Sequence, residues 1–252
     1  MTILHAALLG CIEGITEFLP ISSTGHLILA ERLLGISITE AVKTFDIAIQ
    51  LGAILAVCVL YARMLLRNRR LCILTLTAFI PTALIGFLLH GVVKAYLLGN
   101  VTVVAWSLLL GGIVLLLIEW IVAANSLSRD IDAKRAIGIG FFQSIALVPG
   151  VSRAGATIVG GMLMGIPRAT IVEFSFLLAI PTMLSATALD LLKTSSVLTA
   201  HDALLLGIGF VTSFLTALFA IRWLLQFISA HTFIPFAIYR IALGLVFLLF
   251  IP

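Results

Sequence analysis

Long runs of apolar residues dominate this sequence and limit the folds that it can adopt. A transmembrane helix needs about 20 predominantly apolar residues. Runs close to that length lie at positions 47–64, 101–122, 172–192, 203–225 and 234–250. Hydrophobic residues make up 62% of the chain and charged residues only 10%, whereas a soluble domain carries about 25% charged residues. The sequence therefore predicts an all-α integral membrane protein.

Length and charge distribution narrow the class further. The 252 residues leave no room for a soluble domain beside the membrane helices, so we expect a single membrane domain over residues 1–252. The net charge of +4 comes from lysines and arginines that lie mostly in short loops, a pattern that orients membrane proteins. Because no basic stripe with interleaved aromatic residues occurs, nucleic acid is not an expected partner. The scattered cysteines predict no disulfide framework.

The chain contains an internal repeat with an offset of 130 residues. Aligned without a gap, residues 5–36 and 135–166 share nine identities. Three glycine pairs and one serine pair are among them: Gly10 with Gly140, Gly25 with Gly155, Gly35 with Gly165, and Ser22 with Ser152. We therefore predict two structural repeats, roughly 5–124 and 135–252.

Each repeat begins with an apolar segment that is interrupted near its middle. The interruption covers residues 20–25 in the first repeat and 149–155 in the second, where proline and glycine end a helix. Ser22 or Ser23 in the first break, and Ser152 in the second, can cap the helix that follows. Because neither half of the segment is long enough to cross a bilayer, the pattern predicts a re-entrant helical hairpin in each repeat.

Three full spans follow each predicted hairpin, which makes six transmembrane helices. They lie roughly at 45–66, 71–90, 101–123, 173–193, 203–226 and 233–251. An odd number of spans per repeat inverts the second repeat and brings both hairpins together near the bilayer midplane. Two loops on one face, the cytoplasmic face by the positive-inside rule, hold the basic residues Arg63, Arg67, Arg69, Arg70, Arg129, Lys134 and Arg135. The first hairpin then enters the membrane from outside.

Glu13, Glu17 and Arg153 are charged residues within the predicted hairpins. A charge in the bilayer interior costs at least about 2.5–3.5 kcal/mol on insertion scales, so each is a candidate functional residue. Glu13 and Glu17 are four positions apart and project from one helix face. Two adjacent carboxylates either share a proton or bind a hard divalent cation such as Mg²⁺ or Ca²⁺, with a phosphate supplying further ligands.

The second hairpin carries groups that bind anions. The guanidinium of Arg153 matches phosphate oxygens bidentately, Ser152 lies beside it, and Thr157 follows one turn later. The helix that starts after each break also presents unpaired N–H groups at its N-terminus. A diphosphate together with a metal ion would satisfy the groups of both hairpins.

Ser23, His26 and a carboxylate are the components of an activated nucleophile. His26 follows Ser23 by three positions, so the two side chains can face each other across a helical turn. His26 also suits a general acid for the leaving oxygen. These residues leave open whether Ser23, His26 or a water molecule attacks.

Two stretches resemble the motifs of a known family. EGITEFLPISSTGH, residues 13–26, resembles the ExxxE-FLP-SSTGH motif of the undecaprenyl-diphosphate phosphatases of the bacitracin-resistance type. PGVSRAGAT, residues 149–157, resembles the PGxSRSxxT motif of that family, with Ala154 in place of its second serine. The resemblance implies hydrolysis of undecaprenyl diphosphate to undecaprenyl phosphate and phosphate. This reaction recycles the lipid carrier for peptidoglycan synthesis and confers bacitracin resistance.

The resemblance also implies roles for individual residues. Catalytic roles fall to Glu17, Ser23, His26 and Arg153, and the ligands of a Mg²⁺ or Ca²⁺ ion are Glu13 and Glu17. The implied substrate-binding residues are Ser22, Thr24, Gly150, Ser152 and Thr157. The expected location is the bacterial plasma membrane, with the site facing outward. The expected partners are the lipid substrate, the membrane and a second copy of the chain in a homodimer.

A different class of function fits the same architecture. Inverted repeats with broken helices at the midplane also occur in secondary transporters, and a lipid flippase would use Arg153 for an anionic headgroup. The paired SSTGH and PGVSRAGAT stretches favour phosphate chemistry. A purely structural subunit is the weakest hypothesis, because it explains none of the three charges within the hairpins.

Overall fold

The computed structural model describes residues 1–37, 39–93, 97, 100–123, 130–193 and 200–250. Its regular elements, over these residues, are helices, as the sequence predicts. In chain order they are α1 (Ile3–Thr16), α2 (Ser23–Leu33), α3 (Glu40–Arg67), α4 (Arg69–Val92), α5 (Val101–Ala123), α6 (Ala133–Ser144), α7 (Arg153–Leu163), α8 (Arg168–Lys193), α9 (Ala200–Ala230) and α10 (Ile234–Phe250).

Several helices are long and apolar enough to cross a membrane. Within the described part of the chain these are α3, α4, α5, α8 and α9. They coincide with five of the six predicted spans. The sixth, α10, is apolar but has only 17 residues, fewer than the usual number for a span. The chain is a multi-pass membrane protein. Arg129, one of the basic residues used for orientation, lies outside the described residues.

Close helix packing places the two short helices α1 and α6 against long ones. α1 packs on α9, and α6 packs on α4. A Cβ at Gly10 would overlap with the backbone carbonyl of Gly209, and one at Gly140 would overlap with that of Ala78. Small residues permit such backbone approach in membrane proteins. Gly10 and Gly140 lie 130 positions apart, the offset of the sequence identities, and both allow the same kind of close backbone packing.

A non-helical break separates α1 from α2 and α6 from α7. We call residues 17–22 the first break and residues 145–152 the second break, although a 3₁₀ turn occupies Ile145–Leu147. Each break ends on a serine with a positive φ, 71° at Ser22 and 73° at Ser152. A non-glycine residue in that region is strained, and such strain occurs mainly at functional sites.

Both of these serines cap the helix that follows. Ser22 Oγ accepts from the Gly25 N–H at 3.5 Å, and Ser152 Oγ accepts from the Gly155 N–H at 3.1 Å. The predicted capping role is therefore confirmed for Ser22 and Ser152. Ser23 is not a cap, because it is already the first residue of α2.

Aromatic side chains pack against the first break. The buried ring of Phe18 packs edge-on against Phe176 of α8, with ring centroids 5.4 Å apart, and Tyr61 of α3 also packs on Phe176, with centroids 6.4 Å apart. These aromatic contacts hold the end of α1 close to α8. They set the position of Glu17, the residue immediately before Phe18.

An exposed aspartate, Asp132, caps the N-terminus of α6. Asp132 accepts a hydrogen bond from the Arg135 N–H at 2.8 Å at the start of α6. This hydrogen bond, assisted by the nearby Arg135 guanidinium, lowers the pKa of Asp132 below its ordinary value. The negative charge at a helix N-terminus is also favourable for the helix dipole.

Candidate active site

A polar cavity of about 220 Å³ lies between the two breaks. Its walls include seven of the residues that the sequence analysis predicted, namely Glu17, Ser22, Ser23, Thr24, Gly150, Ser152 and Arg153. Three of the predicted residues, Glu13, His26 and Thr157, do not line it. Helix packing thus brings residues that are about 130 positions apart in the sequence to one cavity.

Glu17 connects the two breaks. Its Oε2 accepts a 2.6 Å hydrogen bond from Ser23 Oγ. Its Oε1 lies 3.4 Å from both Nε and Nη2 of Arg153. The carboxylate is 8% exposed. In this largely dry setting, the guanidinium of Arg153 places a positive charge beside the carboxylate that accepts the hydrogen bond of Ser23.

Arg153 is held from two sides. It is the first residue of α7, and its Nη1 donates to the backbone carbonyl of Ser175 in α8 at 2.8 Å. Together with Glu17, this contact holds the guanidinium plane in one orientation at the cavity wall. A fixed guanidinium beside a helix N-terminus is a binding site for phosphate oxygens.

Glu13 lies behind Glu17. It is 0% exposed, and neither of its carboxyl oxygens has a hydrogen-bond partner among the described residues. Unpartnered buried carboxyl oxygens fit a cation ligand, since they otherwise carry a desolvation cost. Across the described residues no group of three or more His, Cys, Asp and Glu side chains could hold a metal ion. A cation at Glu13 and Glu17 would therefore take further ligands from phosphate.

His26 does not face Ser23, contrary to the prediction from their spacing. Its Nδ1 lies 2.7 Å from the backbone carbonyl of Ser22, and its Nε2 lies 2.7 Å from the hydroxyl of Tyr239. The rings of His26 and Tyr239 stack with centroids 5.5 Å apart. These contacts turn the imidazole away from the cavity, and the carboxylate of Glu17 occupies the position on Ser23 that His26 was expected to take.

Thr157 also lies away from the cavity. Its hydroxyl donates to the backbone carbonyl of Arg153, one turn earlier, at 2.9 Å, and lies 3.5 Å from Gln143 Oε1. A threonine inside a helix readily donates to the carbonyl four residues before it. The Thr157 side chain therefore stabilises the first turn of α7 and does not line the cavity.

The cavity contains a neutral polar wall that the sequence analysis did not assign. It consists of Gln50, Thr82, Gln143 and Thr182. Gln143 Nε2 donates to the hydroxyls of Thr82 and Thr182, both at 3.0 Å. Gln143 lies 130 positions after Glu13, so the repeat offset marks it as the counterpart of that glutamate. The second repeat thus carries an amide where the first carries a carboxylate.

The geometry suits attack on a phosphorus atom. The first break supplies a hydroxyl beside a carboxylate, and the start of α7 supplies a guanidinium that contacts the same carboxylate and the N-terminus of a helix. A hydroxyl next to a base is an activated nucleophile, and oriented positive groups stabilise the charge on a transferring phosphoryl group.

Comparison with known families agrees with this chemistry. The family model described as bacitracin resistance protein BacA matches residues 6–246. The chain belongs to the BacA family. The match spans both breaks, so the resemblance that was predicted from the two motifs is confirmed.

Individual BacA relatives match over the full chain. An undecaprenyl-diphosphatase of Aquifex aeolicus (strain VF5) is 51% identical over 253 residues, with 99% of each chain covered. The undecaprenyl-diphosphatase of Wolinella succinogenes is 49% identical over 256 residues, covering 100% of this chain and 99% of the relative. The undecaprenyl-diphosphatase of Thermus thermophilus is 48% identical over 252 residues, covering 98% of this chain and 96% of the relative.

Proposed function

We propose that this BacA-family protein hydrolyses undecaprenyl diphosphate to undecaprenyl phosphate and inorganic phosphate. The observation that carries the proposal is the connected set Ser23–Glu17–Arg153 at the wall of one cavity. It joins a nucleophile, a base and an anion-binding group from two distant parts of the chain. The relatives that match the chain over its whole length are named undecaprenyl-diphosphatases.

In the proposed mechanism Ser23 is the nucleophile. Glu17 takes the proton from Ser23 Oγ as that oxygen attacks the terminal phosphorus. The bond between this phosphorus and the bridging oxygen breaks, and undecaprenyl phosphate leaves with the electron pair. Water then attacks the phosphorus of the phosphoserine, and the bond between this phosphorus and Ser23 Oγ breaks. Glu17 returns its proton to the departing Ser23 Oγ, and the hydrogens of the water stay with the inorganic phosphate. Ser23 is preferred over His26 because only Ser23 both lines the cavity and contacts a carboxylate.

Arg153 and the first turns of α2 and α7 stabilise the phosphoryl oxygens. The guanidinium is already oriented by Glu17 and by the Ser175 carbonyl, so little reorganisation accompanies the transition state. Glu13 and Glu17 are the residues that would hold a Mg²⁺ or Ca²⁺ ion together with the diphosphate. When bound, such an ion neutralises phosphate charge.

We propose an inverted-topology repeat for the membrane domain. Each half, roughly 5–124 and 135–252, contains a re-entrant hairpin and three spans, with α10 as a short sixth span. The proposal is supported by equivalent strained serines at Ser22 and Ser152 and by equivalent close contacts at Gly10 and Gly140. It predicts that α1 and α6 enter the bilayer from opposite faces.

The cellular setting follows from the proposed reaction. We place the protein in the bacterial plasma membrane with the cavity facing outward, where it would return the lipid carrier to peptidoglycan synthesis and confer bacitracin resistance. The isoprenoid chain of the substrate would lie between helices, in the membrane. We also expect a homodimer, which light scattering of the detergent-solubilised protein would test.

The deciding experiment is phosphate release from undecaprenyl diphosphate by purified protein in detergent, with Glu17→Gln as the inactive comparison. Proteoliposomes separate this function from lipid flipping, because a flippase would keep moving the lipid in the Glu17→Gln variant. Phosphate release at the wild-type rate by Glu17→Gln would refute the mechanism. Lipid movement without phosphate release by the wild type would refute the function.

A further inference from the structure

Arg240 is a buried cation that the mechanism above does not use. It lies in α10, and its side chain is among the largest fully buried ones, with 1% of its surface exposed. A charge in a membrane interior requires compensation from its surroundings. The described ion pairs join Arg135 to Asp132, Arg153 to Glu17 and Arg168 to Glu119, and none of them includes Arg240.

Backbone carbonyls compensate the charge instead. Nη1 donates to the Pro20 carbonyl at 3.1 Å, and Nη2 donates to the Gly150 carbonyl at 3.2 Å. Nη2 also donates to the backbone carbonyl of Ser107 in α5 at 3.0 Å, and Nε donates to the backbone carbonyl of Leu108 at 3.5 Å. A guanidinium can do this because it presents several donors in one rigid plane.

Pro20 and Gly150 are equivalent positions of the two repeats, 130 residues apart. Pro20 lies in the first break, three residues before Ser23, and Gly150 lies in the second break, three residues before Arg153. Carbonyls in a non-helical segment at membrane depth need a donor from elsewhere. One guanidinium supplies it to both breaks at once.

The surrounding helices leave space for the guanidinium. A Cβ at Gly111 of α5 would overlap with Nη2 of Arg240, and a Cβ at Gly155 would lie 3.1 Å from Nη1. The guanidinium therefore lies between α5 and the first turn of α7, the turn that begins with Arg153. Arg240 does not line the cavity, so it acts on the site through the breaks.

We propose that Arg240 is a positioning residue that clamps the two breaks together. By binding the carbonyls of Pro20 and Gly150, it sets the distance between Ser23 on one side and Arg153 on the other. The inference deepens the proposed phosphatase function and rests on it for its kinetic part. A small displacement of catalytic groups is enough to lower a rate about 100-fold.

The kinetic test uses two variants and two controls. Arg240→Lys keeps the charge but cannot reach both carbonyls with a rigid fork, and Gly111→Ala displaces the guanidinium while keeping it. We expect both to lower kcat about 100-fold and to change KM by less than about threefold. Gly244→Ala crowds the same α5–α10 contact through the backbone of Leu109, and Arg168→Lys alters another arginine, which pairs with Glu119 away from the cavity. Both controls should keep kcat.

A double variant and hydrogen exchange complete the test. Because Lys leaves room beside residue 111, Gly111→Ala should add little loss in the Arg240→Lys background. Deuterium uptake should rise in peptides containing Pro20 and in peptides containing Gly150, with α9 peptides unchanged. Exchange is measured without substrate, so it tests the clamp even if the wild type releases no phosphate, a result that would refute the proposed function alone.

Two results would overturn the clamp. One is wild-type kcat in folded Arg240→Lys, and the other is increased exchange along α5 and α10 with both breaks unchanged. If Arg240→Lys does not fold, Gly111→Ala decides: wild-type kcat and unchanged exchange at both breaks would refute the clamp.

Discussion

Ser23 Oγ and Glu17 Oε2 lie 2.6 Å apart across the first break, so the cavity presents a hydroxyl that is already hydrogen-bonded to a carboxylate. Glu17 is the first residue of the break, Ser23 is the first residue of α2, and the chain between them folds back so that the two side chains meet. Arg153 contacts the other oxygen of the same carboxylate. One acidic side chain thus orients both the nucleophile and the anion-binding group of the proposed reaction.

Glu17→Gln should lower kcat by about 10²–10⁴-fold, because an amide cannot accept the Ser23 proton. Phosphate release under saturating substrate measures the effect. Glu119→Gln is the matched control, since Glu119 is also a buried carboxylate that pairs with an arginine, Arg168, outside the cavity. It should lower thermal stability and leave kcat within about threefold. Equal losses in both variants would contradict the role of Glu17 as the base.

Ser23→Ala should cost more activity than His26→Ala, because Ser23 lines the cavity whereas His26 binds Tyr239. Removing a nucleophile leaves only the catalysis that comes from binding and charge stabilisation. Tyr239→Phe should reproduce the smaller His26→Ala effect, since both changes remove the same hydrogen bond. The reverse order of the two losses, measured as kcat on one substrate, would assign the attacking group to His26.

Glu13→Gln should raise the Mg²⁺ concentration needed for half-maximal activity by about tenfold or more, because one of two proposed carboxylate ligands loses its charge. Protein stripped with EDTA and titrated with Mg²⁺, and separately with Ca²⁺, provides the measurement. An unchanged half-saturation concentration accompanied by a lower maximal rate would show that Glu13 acts in some way other than cation binding.

Ser152→Gly should be more stable than Ser152→Ala by about 1 kcal/mol. Glycine adopts the positive φ of residue 152 without strain. Replacing a capping serine with glycine lowers stability by only a few tenths of a kcal/mol, whereas replacing it with alanine lowers stability by about 1 kcal/mol. Thermal unfolding of both variants in the same detergent tests the order. A more stable alanine variant would contradict the strained backbone at this position.

Gly140→Ala should destabilise the protein by about 1–3 kcal/mol, the usual cost of overpacking, because its Cβ would overlap with the Ala78 carbonyl across the α4–α6 contact. Gly207→Ala in α9 is the control, since nothing lies within 4 Å of a Cβ at that position. Alanine there should be neutral or slightly stabilising, because it favours the helix. Equal unfolding temperatures of the two variants would contradict the close packing of α4 on α6.

Much of the fold could be predicted because it depends on local sequence. The apolar runs predicted the long helices, and the prolines, glycines and serines predicted that a break follows α1 and α6. Both helices end earlier than predicted, at Thr16 and Ser144, because the chain leaves the helix before it reaches Pro20 and Pro149. Capping by Ser22 and Ser152 was also predictable, since a cap binds an N–H only three residues away. The inverted topology stays a prediction, as do the catalytic, substrate-binding and metal roles.

The pairing of Ser23 with His26 was wrong because spacing along a helix does not decide the orientation of a side chain. The Ser22 carbonyl and the Tyr239 hydroxyl hold the two imidazole nitrogens, and Tyr239 lies 213 positions from His26. Gln143 was overlooked although the repeat offset from Glu13 pointed to it. Arg240 had no such signal, since no motif surrounds it and its acceptors are carbonyls.

The sequence by itself determined which segments are helical, where two of them break, and that a few charges lie inside an apolar chain. These properties depend on residues a few positions apart and on the high cost of a charge in the membrane. Only the tertiary structure decided the partners of those charges: Glu17 for Arg153, 136 positions away, and two break carbonyls for Arg240. In a medium of low dielectric a charge needs a close partner, and helix packing determines which groups come close.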